Sequence, residues 1–190
     1  MAFRITLIDN AVDELNSLRC DLELYLDIAN DKQVPRAEQY YTIKRSIKQL
    51  ICAWELLMKY RLQQEDWTLI FADPSNATMA ALQSGNFKSV YYSEATKRLA
   101  KYNILFPFAN LKKLHQFRNQ IEHFEINAPL QEVLATLLAA IDELEMFFTK
   151  FIWTNSEKQK AISRGSQMLY ELAETKDALL KLLREGFFSE

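Results

Sequence analysis

Apolar residues recur at intervals of three and four positions along most of this chain, a spacing that is typical of amphipathic α-helices. In the first predicted helix, Leu15, Leu18, Leu22 and Leu26 form such a stripe. The pattern predicts an all-α, up-and-down helical bundle of four to five long helices with a short helical insertion. The predicted helices span about residues 9–30, 36–64, 89–102 or 93–102, 107–124, 130–153 and 156–184.

The second predicted helix is apolar on nearly all sides between Ile47 and Lys59, which indicates the most buried helix of the bundle. Glu55 and Lys59 lie within that run, four positions apart and in the order that favours an ion pair. Glu55 therefore has two interpretations. It pairs with Lys59, or it points across the bundle and orients Arg118.

Composition agrees with a helical protein, because only three of the 190 residues are glycine and four are proline. This length suits one domain with a sizeable core. Cys20 and Cys52 have no metal-ligand spacing, and we expect both to pack inside a protein of the reducing cytosol. Neither the start of the chain nor any apolar run suits a signal or a membrane span, so we expect a cytoplasmic protein with no membrane partner.

The segment from Leu114 to His123 carries the most chemical information, because it contains both histidines of the chain. On a helix, Leu114, Phe117 and Ile121 share one apolar side. The polar residues on the opposite arc are His115, Arg118, Asn119, Glu122 and His123. The sequence therefore predicts a helix that buries one face and presents a cation, an amide and two imidazoles on the other.

This polar arc has two interpretations. An imidazole transfers protons near neutral pH, and a guanidinium binds phosphate through two parallel hydrogen bonds, so the arc suits phosphate chemistry. Alternatively, Arg118 pairs with Glu122 one turn along the helix, and His123 caps the helix C-terminus.

Charge is unevenly distributed, although the net charge is only −2. Between residues 86 and 118 there are seven basic residues against one acidic residue, Glu94. Such an excess is typical of a surface for a phosphate-bearing partner such as RNA, or of an ordinary solvated helix face. The residues of this segment that we expect to bind RNA are Lys97, Arg98, Lys101, Lys112 and Lys113.

Two stretches of sequence together resemble the HEPN superfamily. Residues 118–123 read RNQIEH, and the buried helix before them reads AWELLMK at residues 53–59. The signature of that superfamily is an arginine, then a polar residue, then a histidine four to six positions after the arginine. The resemblance covers about residues 36–153 of a single domain of residues 1–190, with flanking helices at 1–30 and 156–186.

The resemblance implies a metal-independent endoribonuclease in a toxin, stress or phage-defence setting. In that reaction the 2′-hydroxyl of RNA attacks the adjacent phosphate and leaves a 2′,3′-cyclic phosphate. His123 would be the acid or base, Arg118 the phosphate clamp, and Asn119 the residue that orients His123 or the phosphate. Glu55, Glu122 and His115 would support them, with His115 either a second proton carrier or a neighbour of the site.

The resemblance also implies a homodimer, in which two motifs face each other across a two-fold axis. It allows a regulatory partner such as an antitoxin, although Glu125 stands where HEPN toxins silenced by a nucleotidyltransferase have a tyrosine. The alternative function is a non-catalytic HEPN-like module that binds RNA or protein, or dimerises. We expect no cofactor and no metal, because the chain has no glycine-rich phosphate loop and no plausible zinc-ligand set.

Overall fold

The computed structural model describes residues 6–29, 31, 33–123, 128–153 and 159–185, and these form an all-α bundle as predicted. The helices are α1 Leu7–Ala29, α2 Arg36–Glu65, α3 Met79–Ser84, α4 Tyr92–Lys101, α5 Ala109–His123, α6 Leu130–Phe147 and α7 Gln159–Arg184. Helix α1 packs along α2 and α7, while α2 also contacts α4, α5 and α6. Helix α2 is therefore the central helix on which the others are arranged.

The side chain of Trp54 forms the centre of the core on α2. It is fully buried, and its indole N–H donates a hydrogen bond of 3.3 Å to the carbonyl oxygen of Ala140 on α6. The rings of Phe106, Phe108 and Phe147 surround it, with centroids 5.3 to 6.0 Å from the indole. Aromatic burial of this kind contributes a large share of the hydrophobic stabilisation of a domain, so this cluster fixes α6 and the segment before α5 against α2.

The connection between α2 and α4 is mostly irregular, as expected from its fading apolar pattern. It contains two 3₁₀ turns, Trp67–Ile70 and Pro74–Asn76, and the short helix α3. An isolated antiparallel bridge joins Phe71 to Ser89 and closes the connection on itself. This bridge sets the point from which α4 begins.

Three expectations differ from the structure or lie outside it. Helix α6 does not continue to residue 153 but gives way to a π-helical turn, Phe148–Ile152, whose first ring packs so closely on α7 that a Cβ at Gly165 would lie 2.7 Å from it. The helix that carries both histidines was predicted to end near residue 124, and the last helix was predicted to begin near residue 156. Both positions lie outside the described residues. Cys20 and Cys52 are exposed rather than packed, because they lie beside the buried stripes of their helices. Within the described residues, no helix has the length and apolar character needed to cross a membrane.

Candidate functional site

The N-terminus of α5 is anchored by Glu143, an acidic residue of α6 that is only 9% exposed. Its carboxylate accepts hydrogen bonds from the backbone N–H groups of Asn110 and Leu111, at 3.0 and 3.2 Å, and from the side-chain amide of Asn110, at 3.0 Å. The first N–H groups of a helix lack intrahelical acceptors, and a negative charge there also complements the helix dipole. Glu143 therefore fixes where α5 begins and how its faces are oriented.

The predicted apolar face of α5 is confirmed by the structure. Leu111, Leu114 and Phe117 are buried against the bundle, and Ile121 is partly buried and packs on the same core. With this face turned inward, the opposite side of the helix is left at the surface.

The C-terminal half of α5 presents Arg118, Asn119 and His123 at the surface. Asn119 and His123 are exposed, and the side chain of Arg118 is 39% exposed. Because residues 119 and 123 are one turn apart, they lie on the same side of the helix. The three residues of the motif are therefore accessible to a ligand from solvent.

Glu122 holds two cations at this end of the helix. Its Oε2 lies 3.0 Å from Nε of Arg118, and its Oε1 lies 3.2 Å from Nζ of Lys48 on α2. Burial tends to raise the pKa of Glu122, but the hydrogen bond from Lys48 and the charges of Arg118, Lys48 and His123 outweigh it and lower the pKa. The pairing of Arg118 with Glu122 that the sequence allowed is thus present, and it is joined by a lysine from a second helix.

His115 lies in a different environment from His123. Its ring stacks on that of Tyr92 from α4, with centroids 4.2 Å apart and planes at 22°, and its side chain is 14% exposed. Its Nε2 is buried, has no hydrogen-bond partner among the described residues, and lies 4.0 Å from Oε1 of Glu55. Burial, with a smaller contribution from the charge of Arg118, lowers the pKa of His115 to about 4. His115 is therefore neutral at pH 7 and does not share the exposed arc that the sequence predicted for it.

Glu55 faces His115 and Lys59 rather than Arg118. Its Oε2 lies 3.8 Å from Nζ of Lys59, the pair expected from their spacing. The expectation that Glu55 reaches across the bundle to Arg118 differs from the structure, because Glu122 on α5 itself already holds that guanidinium. Glu55 instead supplies the carboxylate nearest the buried imidazole.

The guanidinium of Arg98 is buried and structural. It donates hydrogen bonds to the carbonyl oxygens of Leu69 at 2.7 Å, Phe71 at 2.6 Å and Ala72 at 2.9 Å, and it pairs with Glu94 at 3.2 Å. These bonds tie α4 to the irregular connection. They leave Arg98 7% exposed, which does not suit the RNA contact expected from the sequence.

The other expected RNA-binding residues differ in how far their charges are already neutralised. Lys113 pairs with Glu132 at 2.8 Å. Lys97, Lys101 and Lys112 are exposed and have no ion pair among the described residues. Helix α4 lies between two open grooves of about 480 and 560 Å³, one edged by Lys97 and the other by Lys101. Of the five residues expected to bind RNA, these three lysines are the ones whose charge no described acid compensates.

Sequence reasoning missed Glu143, Lys48 and Tyr92. Glu143 carries a usable signal, because it is an acid spaced three residues from Ala140 and four from Phe147 on the buried stripe of α6. Lys48 and Tyr92 carry no comparable signal, since their roles depend on how α2, α4 and α5 meet. Among the described residues, no three potential metal ligands of the histidine, cysteine or acidic type come together.

Comparison with known proteins identifies a family but no activity. A family model described as a domain of unknown function, DUF3644, matches residues 36–177, from the start of α2 into α7. The chain therefore belongs to the DUF3644 family. No curated protein and no solved structure matches it.

Proposed function

We propose that this DUF3644 protein is a metal-independent endoribonuclease of the HEPN type, with His123 and Arg118 as its catalytic residues. The observation that carries the proposal is the joint exposure of Arg118, Asn119 and His123 on one helix that Glu143 holds in place. The fold is all-α, as the resemblance to HEPN proteins requires. The toxin, stress or phage-defence setting is part of the same proposal and rests on that resemblance alone.

The proposed reaction needs only acid–base chemistry and charge stabilisation. An imidazole removes the proton of the 2′-hydroxyl, whose oxygen forms a bond to phosphorus, and the bond from phosphorus to the 5′-oxygen breaks as that oxygen takes up a proton. Arg118 stabilises the charge that builds up on the phosphoryl oxygens. Asn119, on the same side of the helix as His123, orients that imidazole or the phosphate.

The pairing of Arg118 with Glu122 is compatible with phosphate binding. An ion pair at the surface is worth at most about 1 kcal/mol, and a phosphate offers the guanidinium a bidentate partner. RNA binding would therefore displace Glu122 from Arg118, while Lys48 remains to compensate the released carboxylate. The ion pair between Arg118 and Glu122 is therefore the arrangement of the site before RNA binds.

A second proton carrier is best supplied by a second copy of the chain. His115 is the remaining histidine, but it is neutral, largely buried and stacked on Tyr92, which leaves it poorly suited to exchange protons with a substrate. A two-fold interface would place His123 of the partner subunit opposite His123. We therefore include a homodimer with a composite site in the proposal, with Lys97, Lys101 and Lys112 as phosphate contacts.

A non-catalytic RNA- or protein-binding module is the second candidate, and one observation favours it. Glu122 pairs with both Arg118 and Lys48, so its carboxylate offsets part of the positive charge that would otherwise attract a phosphate. Such a module would keep its fold and its binding when the imidazole is removed.

Cleavage of total cellular RNA in EDTA tests the proposal. The proteins compared are the wild type, His123→Ala, and Gln120→Ala as a control for an exposed residue on the same helix. We expect the wild type and the control to cleave, and His123→Ala to lose about 100-fold or more of the rate. Equal cleavage by all three proteins would contradict the assignment of His123. Absence of cleavage by well-folded wild type would favour the binding module.

A further inference from the structure

Tyr91 is an exposed aromatic residue at a position where a helix usually has a small polar one. It is the N-cap of α4, no side-chain hydrogen bond caps the helix there, and 62% of the residue is exposed. Serine, threonine, aspartate and asparagine are the residues that stabilise this position. Departures from local preference concentrate at functional sites.

The ammonium group of Lys88 lies over one face of this ring, which leaves the other face for a stacked base. The Nζ of Lys88 is 5.0 Å from the centroid of Tyr91, within the range of a cation–π contact. Among the described residues, Lys88 forms no ion pair with an acid. The two side chains therefore place a flat aromatic surface and an uncompensated positive charge next to each other at the surface.

The backbone that carries this pair is well ordered by hydrogen bonds. The N–H of Ala72 donates to the carbonyl oxygen of Lys88 at 2.8 Å, and the N–H of Val90 donates to that of Ile70 at 2.8 Å. Val90 is buried, and residue 91 opens directly into α4. A ligand at Tyr91 would thus meet a preorganised surface, which reduces the entropy lost on binding.

The position of Tyr91 relative to α5 is set by its neighbour Tyr92. The ring of Tyr92 stacks on His115, which brings the start of α4 against the middle of α5. His115 precedes Arg118 by three residues, or about 4.5 Å along the helix axis. The stacking contact thus places the start of α4 within about one helical turn of the level of Arg118 along α5.

We propose that Tyr91 and Lys88 form a stacking site for an unpaired base of RNA, so that the substrate is single-stranded or looped RNA rather than duplex. This inference rests on the proposed function for the identity of the ligand as RNA. An aromatic ring stacks on any exposed base, whereas a base within a duplex is already stacked on both sides. Lys88 contacts the phosphate beside the stacked base, and Lys97 and Lys101 continue the positive surface along α4.

Fluorescence anisotropy with an RNA that cannot be cleaved tests this inference. The probe is a labelled oligonucleotide in which every 2′-hydroxyl is methylated, used as a single strand and as a duplex. The variants are Tyr91→Ala, Tyr91→Phe and, as a matched control, Tyr170→Ala, whose tyrosine is 63% exposed on α7. We expect the single strand to bind more tightly than the duplex. Tyr91→Ala should weaken single-strand binding by about 5- to 150-fold, while Tyr91→Phe and Tyr170→Ala retain it.

Several results would overturn the inference: no binding of the single strand by the wild type, equal binding of the duplex, or equal affinity of Tyr91→Ala and Tyr170→Ala. Because the probe lacks free 2′-hydroxyls, these outcomes do not depend on nuclease activity. Binding that depends on Tyr91, in a protein that cleaves no RNA, would retain the stacking site and reject the nuclease. Cleavage of RNA by a protein whose binding does not depend on Tyr91 would retain the nuclease and reject the stacking site.

Discussion

His115 and His123 lie about two turns apart on the same helix, yet the two halves of α5 that carry them are built differently. In the N-terminal half, Glu143 holds the backbone and His115 is stacked on Tyr92, largely buried and neutral. In the C-terminal half, His123 is exposed, and the guanidinium of Arg118 pairs at the surface with Glu122. The comparison shows that one half of α5 is held by contacts with α4 and α6, whereas the other half leaves its polar groups at the surface.

The largest effect should come from the clamp in the C-terminal half. Under the proposed function, Arg118→Ala should lower RNA cleavage by about 10²- to 10³-fold, because it would remove the charge that stabilises the transition state. The free energy of unfolding should change by less than about 1 kcal/mol, since the residue forms only a surface ion pair with Glu122. Cleavage rates and urea denaturation of the same preparations measure the two quantities. A loss of stability as large as the loss of rate would assign Arg118 to the fold.

The anchor of the N-terminal half should show the opposite behaviour. Glu143→Ala leaves the N–H groups of Asn110 and Leu111 without their acceptor, so the free energy of unfolding should fall by about 2–3 kcal/mol. The matched control is Glu145→Ala, which removes an exposed acid of the same helix and should have little effect. Urea denaturation of both variants measures the difference. Equal stabilities would mean that Glu143 does not anchor α5.

The buried imidazole should appear in the pH dependence of stability. Its pKa is about 4 in the folded chain and about 6.5 in the unfolded chain, so only the unfolded chain takes up this proton between those values. Stability should therefore fall by about 1–3 kcal/mol as the pH is lowered through that window, and rise again with pH.

His115→Phe should remove this part of the pH dependence and leave stability near pH 7 little changed. His123→Gln is the control for the loss of an exposed histidine, and it should retain the fall in stability that the buried His115 causes. Thermal unfolding from pH 4 to 7 measures it. An unchanged slope in His115→Phe would show that His115 is not buried in its neutral form.

The smallest effect should come from releasing the cations of the C-terminal half. Glu122→Gln removes the carboxylate shared by Arg118 and Lys48, so RNA affinity should rise by about 2- to 5-fold. Glu171→Gln makes the same charge change on α7, where the acid lies 3.6 Å from Arg19, and should not alter affinity. Anisotropy with the 2′-methylated strand measures both. An equal rise in the two variants would indicate a general charge effect.

The sequence predicted most of the fold because apolar periodicity is a local property. The bounds of α2 and α4 and the inward face of α5 follow from it within a few residues. The π-helical turn after Phe147 does not follow from this periodicity, since it reflects how the ring of Phe148 packs on α7 beside Gly165.

The sequence was less informative about which polar residues are accessible. Arg98 and Arg118 belong to the same basic segment, but three backbone carbonyls from the irregular connection surround only Arg98. His115 was likewise assigned to the exposed arc, and only the position of Tyr92 shows that it is covered. These distinctions depend on contacts between elements distant in sequence, which spacing on a single helix does not encode.

The chemistry of the RNA ends tests the central claim most directly. An RNA that the wild type cleaves in EDTA is resynthesised with a single 2′-deoxy nucleotide on the 5′ side of the cut. We expect the unmodified strand to yield a 2′,3′-cyclic phosphate, and the modified strand to remain intact at that position. Cleavage of the modified strand, or products that carry a 3′-hydroxyl and a 5′-phosphate, would contradict an acid–base site on α5.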